Sequence, residues 1–355
     1  MKKIAIFQSD MGLGGIQKSL VNLLRSLDYS KLSVDLYLFS HDDFFNVQIP
    51  QSVTVRYLEP VRKMYKYIPF DMAMSRMMGK LLDGIPEDVY YDVSIDFNSY
   101  QPECAAGAII VPSDRRVEWV HNDISVKLEN EWKYRVLHFF FKGKYKYFDK
   151  FVCVSDGLEE SFKVNAGELS DGADFAVIQN MIDVNEIREK SQAQVDDIVF
   201  DEKYFNFVTV GRLCHQKGYD IMLECFKSAF EKRNDMRLYL IGDGPDGEKL
   251  QNMAESLGID KNVFFLGRKQ NPFSYMNKAD AFISTSRYEG QPVNIMEAKA
   301  IGLPLYCSKN LEKYIEGLKG FEDVAEALVN AKKEEKHPDN LKEYNSEILS
   351  RFEAL

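Results

Sequence analysis

The chain has 355 residues, too many for one ordinary core, so two domains are expected. A formal charge of -10 argues against a general nucleic-acid binder, while 45% hydrophobic and 28% charged residues suit a globular protein. The five cysteines (Cys104, Cys153, Cys214, Cys225, Cys307) form no C-x-x-C pair and suit buried thiols in a reducing compartment.

The chain opens MKKIAIFQ, whose apolar run is too short for a signal-peptide core and reads as a first strand. No run of about eighteen apolar residues follows, so no membrane-spanning helix is expected, and the expected location is cytoplasmic. In the first half KIAIFQ, SVDLYLF, VTVRYL, VSIDF, VEWVH, FVCVS and FAVIQ read as strands. Amphipathic stretches such as IQKSLVNLLRSL separate them, with apolar residues at helical spacing. Between the first strand and helix, FQSDMGLGGIQKSL contains Gly12, Gly14 and Gly15. A dinucleotide fingerprint would need a further glycine where Gln17 stands, so that reading fails.

Two stretches mix bases with Met and aromatics: Val61 to Leu82, and Trp132 to Lys150. Each suits either an anionic membrane surface, where a lipid-linked acceptor would wait, or a buried helix with snorkelling lysines. VEWVHND ends a strand in His121; a lone histidine is more often structural. The segment Asn180 to Tyr204 is polar and holds no good strand, and the domain boundary is placed there, giving domains 1–180 and 181–337.

In the second half FNFVTVG, LYLIG, VFFLG, AFIST and PLYCS read as strands, most followed by helical patterns such as YDIMLECFKSAFEK, GEKLQNMAESLG and NIMEAKAIG. The fold class expected is therefore α/β, with two Rossmann-like doubly wound parallel sheets facing a central cleft. Ligands are expected at the carboxyl ends of the strands.

The second half also carries the chemistry. TVGRLCHQKGYD ends a strand in Gly211-Arg212 and enters a helix near Gly218, with Lys217 beside it. Two cations near a helix N-terminus make an anion site that suits a diphosphate; the plain alternative is a solvated loop. LYLIGDGPDGEKL ends a strand in Gly242-Asp243-Gly244-Pro245, either a close backbone approach to a ligand or a tight turn. VFFLGRK ends another in Gly267-Arg268, whose backbone groups suit a nucleobase. In SRYEGQPVNIMEAKAIGLP a helix begins near Pro292, and the amides of Gln291, Val293 and Asn294 would point at an anion. Glu289 would accept hydrogen bonds from sugar hydroxyls, and Glu297, inside the helix, from both hydroxyls of a ribose. The plain alternative is an acid favouring the helix dipole plus an exposed glutamate.

Taken in order, Gly211-Arg212…Lys217-Gly218, Gly242-Asp243-Gly244-Pro245, Phe265-Leu266-Gly267, Glu289-Gly290…Pro292 and Glu297-Ala298…Gly302-Leu303-Pro304 resemble the retaining glycosyltransferases of family 4, which have the GT-B fold. The resemblance is good over residues 204–304 and looser in the first half. It implies a metal-independent transferase of hexosyl type, moving a sugar from a nucleoside-diphosphate sugar to an acceptor hydroxyl with its configuration kept. It implies Arg212, Lys217, Glu289 and His121 as catalytic residues, His121 touching the donor sugar. It implies donor binding by Gly14, Gly15, Gly211, Gly242, Gly267, Arg268, Gly290, Gln291, Pro292, Val293, Asn294 and Glu297. No D-x-D signature is present, so no metal and no cofactor beyond the donor is expected. The implied partners are the nucleotide-sugar donor and a glycan or lipid-linked saccharide acceptor at the inner face of the cell membrane, with no nucleic acid.

The sequence departs from the family at Asn180-Met181, where Asn-Gly is usual, and in the short region after Ser308. The last segment, about 338–355, reads as a helix that in GT-B proteins packs back on the first domain. Two alternatives remain: a nucleotide-sugar 2-epimerase of the same fold, and a non-catalytic nucleotide-sugar-binding subunit.

Overall fold

The computed structural model describes every residue except Leu13, Asp43, Pro60, Val61, Arg62, Tyr100 and Glu131. Val61 and Arg62, which begin the first basic-aromatic stretch, thus lie outside the described residues. The chain forms two compact units, one of Met1–Met181 with Glu343–Leu355, the other of Ile182–Lys342.

The first unit runs β1 (Lys2–Gln8), α1 (Gly15–Ser26), β2 (Leu32–Leu38), β3 (Val53–Tyr57), α2 (Phe70–Gly84), β4 (Tyr91–Asp96), α3 (Pro102–Ile110), β5 (Ser113–Val120), α4 (Ile124–Asn130), α5 (Trp132–Phe141), β6 (Lys150–Cys153), α6 (Asp156–Ala166) and β7 (Asp174–Val177). Its seven strands form one sheet in the order β3-β2-β1-β4-β5-β6-β7, every neighbouring pair parallel. β1 is central, and Ile4, Ala5, Ile6 and Phe7 are all fully buried, because helices cover both faces and leave no solvent side for alternation. The inner faces of α1 and α2 supply Leu20, Val21, Leu24, Ala73, Met77 and Leu81 to the same core.

The second unit runs α7 (Val184–Ser191), β8 (Phe205–Val210), α8 (Tyr219–Phe230), β9 (Met236–Ile241), α9 (Gly247–Ser256), β10 (Val263–Phe265), α10 (Pro272–Lys278), β11 (Ala281–Ser284), α11 (Val293–Ile301), β12 (Leu305–Cys307) and α12 (Val324–Val329). Its sheet is parallel in the order β10-β9-β8-β11-β12. α13 (Lys342–Glu353) ends the chain on the first unit, where Phe352 is fully buried, its ring centroid 6.0 Å from that of Trp119.

In each sheet the strand order reverses direction once, between β1 and β4 and between β8 and β11. In doubly wound sheets the loops at such a switch point diverge and leave a crevice at the strands' carboxyl ends. The glycine loop follows β1, and the Arg287–Glu289 segment follows β11, so both sequence motifs stand at switch points.

One feature of the first core is unusual. Lys144, from the turn at Lys142–Tyr147, lies 3.0 Å from both Asp96 and Glu118, and all three side chains are fully buried. Burial alone would lower the Lys144 pKa, but the two carboxylates outweigh it and hold it above its ordinary value. Burial pushes Glu118 up to about 8 despite Lys144.

Candidate functional site

Three glycines lie side by side where β8, β9 and β10 end. The Gly211 amide donates to Ile241 at 3.0 Å, and the Gly242 amide to the Gly267 carbonyl at 2.9 Å. Gly242 has φ 144, and a Cβ there would stand 1.9 Å from the Gly211 carbonyl oxygen, so no side chain fits. Gly218 is equally constrained: φ is 62, and a Cβ would meet the Thr285 carbonyl oxygen at 2.1 Å. Thr285 Oγ1 donates back to the Gly218 carbonyl at 2.8 Å, locking the loop before α8 to the loop after β11.

That lock sets the central pair. Lys217 Nζ lies 2.6 Å from Glu289 Oε1, with Glu289 only 4% exposed and Lys217 half-buried. Gln216 Nε2 reaches the Tyr288 carbonyl at 3.1 Å and Glu289 Oε2 at 3.4 Å. Arg287 forks onto Asp220 at 2.8 and 2.6 Å and donates to the His215 carbonyl at 2.8 Å, and its hydrogen bond holds Asp220 below the usual carboxylate range. Lys217 also flanks the first strand end, its Cε 3.6 Å from where a Cβ of Gly211 would stand.

α11 begins immediately beside this pair. Pro292 caps it, and Val293 and Asn294 open it, where helix amides lack intrahelical acceptors. Asn294 Nδ2 donates to the Val210 carbonyl at 2.7 Å, tying the helix start to the end of β8. Glu297 follows Asn294 by three residues, on the same partly exposed face, and Gly290 and Gln291 are buried. The structure therefore brings together Lys217, Glu289, Gly211, Gly242, Gly267 and Asn294. Arg212 and Arg268 are exposed on the strand-end loops, outside the Lys217–Glu289 pair.

The remaining predicted residues belong to the first unit. Gly14 precedes α1 in extended conformation, and Gly15 opens the helix with no atom within 4 Å of where its Cβ would stand. Asp10 shapes the loop before them: Oδ1 accepts from the Gly12 amide at 3.0 Å and from Gln17 at 2.8 Å, while Oδ2 accepts from Ser9 at 2.6 Å. Ser9 accepts from Asn98 at 2.9 Å, and the Asn98 amide donates to Asp96 at 3.1 Å, so the loop connects to the buried Lys144 group. His121 is 7% exposed; its ring bonds to the Phe97 carbonyl, and its Nε2 has no partner among the described residues. Burial drives its pKa down to about 3, so the imidazole is neutral near pH 7.

Asp10, Gln216, Asp220 and Arg287 escaped the sequence reading. Opposite charges beside two flagged motifs, SRYEG and KGYD, were the available signal for the Arg287–Asp220 clamp.

Residues 190–347 match the family "Glycosyl transferases group 1". That region is similar in sequence to group 1 glycosyltransferases. An uncharacterised glycosyltransferase from Methanocaldococcus jannaschii is 26% identical over 191 residues, 53% of this chain and 46% of that protein. The aligned part is thus less than half of that relative's length. A Campylobacter jejuni enzyme, N-acetylgalactosamine-N,N'-diacetylbacillosaminyl-diphospho-undecaprenol 4-alpha-N-acetylgalactosaminyltransferase, is 23% identical over 323 residues, 87% of this chain and 81% of the enzyme. The Anabaena HepE structure in complex with UDP-glucose superposes with TM-score 0.66 at 18% identity, covering 100% of both chains. The two parallel-sheet units therefore have the GT-B fold. The matched region runs from β8 through α12 and thus contains the Lys217–Glu289 pair.

Proposed function

We propose that this chain transfers a hexosyl unit from a nucleoside-diphosphate sugar to an acceptor hydroxyl, with its anomeric configuration retained. The observation that carries the reading is the Lys217–Glu289 pair at 2.6 Å, seated at the β8/β11 switch point beside the start of α11. A diphosphate brought to those helix amides competes with Glu289 for the Lys217 ammonium. Glu289, so released, accepts hydrogen bonds from hydroxyls of the transferred sugar. Arg212, exposed on the adjoining turn, adds the second cation, and Glu297 takes the ribose hydroxyls. As the glycosidic bond breaks, its electron pair goes to the diphosphate, and the fixed cations and amides offset that developing charge without reorganising. In the first unit His121 offers its neutral Nε2 to a sugar hydroxyl, Gly15 leaves open space at the start of α1, and Gly14 leaves room for the Gln17 amide. No metal and no further cofactor takes part in this scheme.

A glycan or lipid-linked saccharide is the acceptor; the Campylobacter relative, whose name carries a diphospho-undecaprenol-linked saccharide, supports this. A peripheral membrane contact belongs to the same reading. On α5, Trp132, Val136 and Phe139 form one exposed apolar stripe, flanked by exposed Lys133, Arg135 and Lys142. No α5 residue is fully buried, which suits an anionic lipid surface for this helix, whereas Lys144, Tyr145 and Phe148 later in the same stretch are buried in the first core. No helix of the described residues is long and apolar enough to cross a membrane.

The test is to incubate the protein with UDP-, GDP- and ADP-sugars and follow release of nucleoside diphosphate. One donor should be consumed, and EDTA should leave the rate unchanged. Lys217→Ala should lower kcat by about a hundred- to a thousandfold with the fold intact. A near-normal rate in that variant would overturn the assignment.

A further inference from the structure

Lys144 Nζ lies 3.0 Å from Asp96 Oδ2 and 3.0 Å from Glu118 Oε1, and it donates to the Ser99 carbonyl at 2.8 Å. An ammonium has three N–H donors, and these three oxygens face it. The rings of Phe141 and Tyr145 stand near it, with centroids 4.8 and 5.9 Å away, and all three charged side chains are fully buried. Packed apolar side chains in place of a buried ionic group are often as stable or more so, which makes core stability a weak reason for this one. What the group fixes is the geometry of a loop.

Two of the three oxygens belong to one short segment, since Asp96 ends β4 and Ser99 lies in the loop after it. Asp96 gives its other oxygen, Oδ1, to the Asn98 amide at 3.1 Å. Lys144 therefore holds residues 96–99 from both ends. β4 pairs with β1 at the switch point of the sheet, so the loops after these two strands lie side by side. From the held segment two paths lead to candidate site groups. On the first, Asn98 Nδ2 donates to Ser9 Oγ at 2.9 Å, and Ser9 Oγ to Asp10 Oδ2 at 2.6 Å. Asp10 Oδ1 then accepts from the Gly12 amide at 3.0 Å, two residues before Gly14. On the second, the Phe97 ring packs against His121 with centroids 4.8 Å apart, and the Phe97 carbonyl bonds the imidazole. Ser9, Phe97, Asn98 and His121 are buried, and hydrogen bonds shielded from water hold their geometry more strongly.

We propose that Lys144 is a positioning residue, which through Asp96 and Ser99 fixes the loop after β4 and thereby sets both the glycine loop before α1 and the His121 imidazole for substrate. That these two groups meet the substrate rests on the transferase reading above; the contacts that lead to them from Lys144 do not.

The experiment uses the full chain and the donor consumed in the assay above. Lys144→Met keeps an unbranched stem and removes the ammonium, but it strands two buried carboxyl groups. Lys144→Met/Asp96→Asn/Glu118→Gln, which carries no buried charge there, is therefore the second variant. Per folded protein, kcat should fall about ten- to hundredfold, the cost of a slight misplacement of groups that meet the substrate. The Kd for UDP should stay within about twofold, because Lys217 and Glu289 belong to the second unit, which makes none of these contacts. The imidazole nitrogen NMR signals of His121, assigned by their absence in His121→Phe, should shift. In an Asn98→Ala/His121→Phe background, where both paths are already cut, the triple substitution should cost less than about threefold in kcat. Wild-type kcat or an unmoved imidazole signal in a folded variant would overturn the proposal. So would a UDP Kd that weakens as much as kcat falls, or the full loss of kcat in the background lacking both paths, since either marks a general loosening of the core. A wild-type chain that consumes no donor and binds no UDP counts against the transferase reading alone. The imidazole signals need no donor and still decide whether Lys144 sets His121.

Discussion

Gly218 and Gly15 are both glycines in flagged motifs, yet they carry opposite steric demands. At Gly218 the left-handed backbone and the Thr285 carbonyl both exclude a side chain. Gly218→Ala should therefore cost about 1–3 kcal/mol in urea unfolding and loosen Lys217 from Glu289. Gly15 opens α1 with free space around its Cβ direction, so Gly15→Ala should leave stability within about 0.5 kcal/mol. A loss of donor turnover in Gly15→Ala with unchanged stability would then mark a ligand contact there. His121 makes a pH prediction. Its folded pKa of about 3 lies below the ordinary value, so the unfolded chain binds the extra proton first as pH falls. Its stability contribution is full above about pH 6.5 and is lost as pH falls toward 3. Between pH 6.5 and 4.5, wild type should lose on the order of 2–3 kcal/mol more than His121→Phe. Equal acid profiles for the two proteins would show that the imidazole is not held neutral.

At the scale of the element, α5 makes the cleanest test, because its outer face contributes nothing to the core. Replacing Trp132 and Phe139 by Ser should leave thermal stability nearly unchanged, yet abolish flotation with phosphatidylglycerol vesicles at low salt. Flotation that survives the double substitution would place the lipid contact elsewhere. The same helix shows where the sequence stops being legible. Every strand among the described residues was readable; the central ones are buried on both faces and so are short apolar runs such as FNFVTV or KIAIFQ. Helical stripes were readable in α1 and α8, each of which sends one face into a core. The Trp132–Lys150 stretch alternates bases and aromatics, and letters alone do not say which face is covered. Lys144 shows the converse: within FKGKYKYFDK it looks like any surface lysine, and only the fold reveals two carboxylates converging on it. In the second unit the strand-end glycines and Glu289 were legible as motifs. The Arg287–Asp220 clamp was not, since it depends on how two loops distant in sequence meet.

For the molecule as a whole, the chain crosses from one unit to the other twice, because α13 returns to the first sheet after the second unit is complete. That helix is a component of the first core. Ile348, Phe352 and Leu355 are 3%, 0% and 4% exposed. Arg351 donates to the Val177 carbonyl at 2.6 Å, Tyr344 to the Asn180 carbonyl at 2.7 Å, and Lys2 to the Glu353 carbonyl at 3.1 Å. Three buried apolar side chains are together worth about 5–9 kcal/mol by transfer estimates, with the upper end an overestimate because the unfolded chain is already partly collapsed. A domain's whole stability is about 5–15 kcal/mol. Ending the chain after Lys342 should therefore unfold or nearly unfold the first unit at 37 °C while the second, which makes none of those contacts, keeps its own transition. Calorimetry resolves this, and added UDP assigns the transitions, because on the proposed function it raises the midpoint of the second unit alone. A truncated chain with both transitions unshifted would mean that α13 merely rests on the first unit, and that the core beneath Trp119 closes without it.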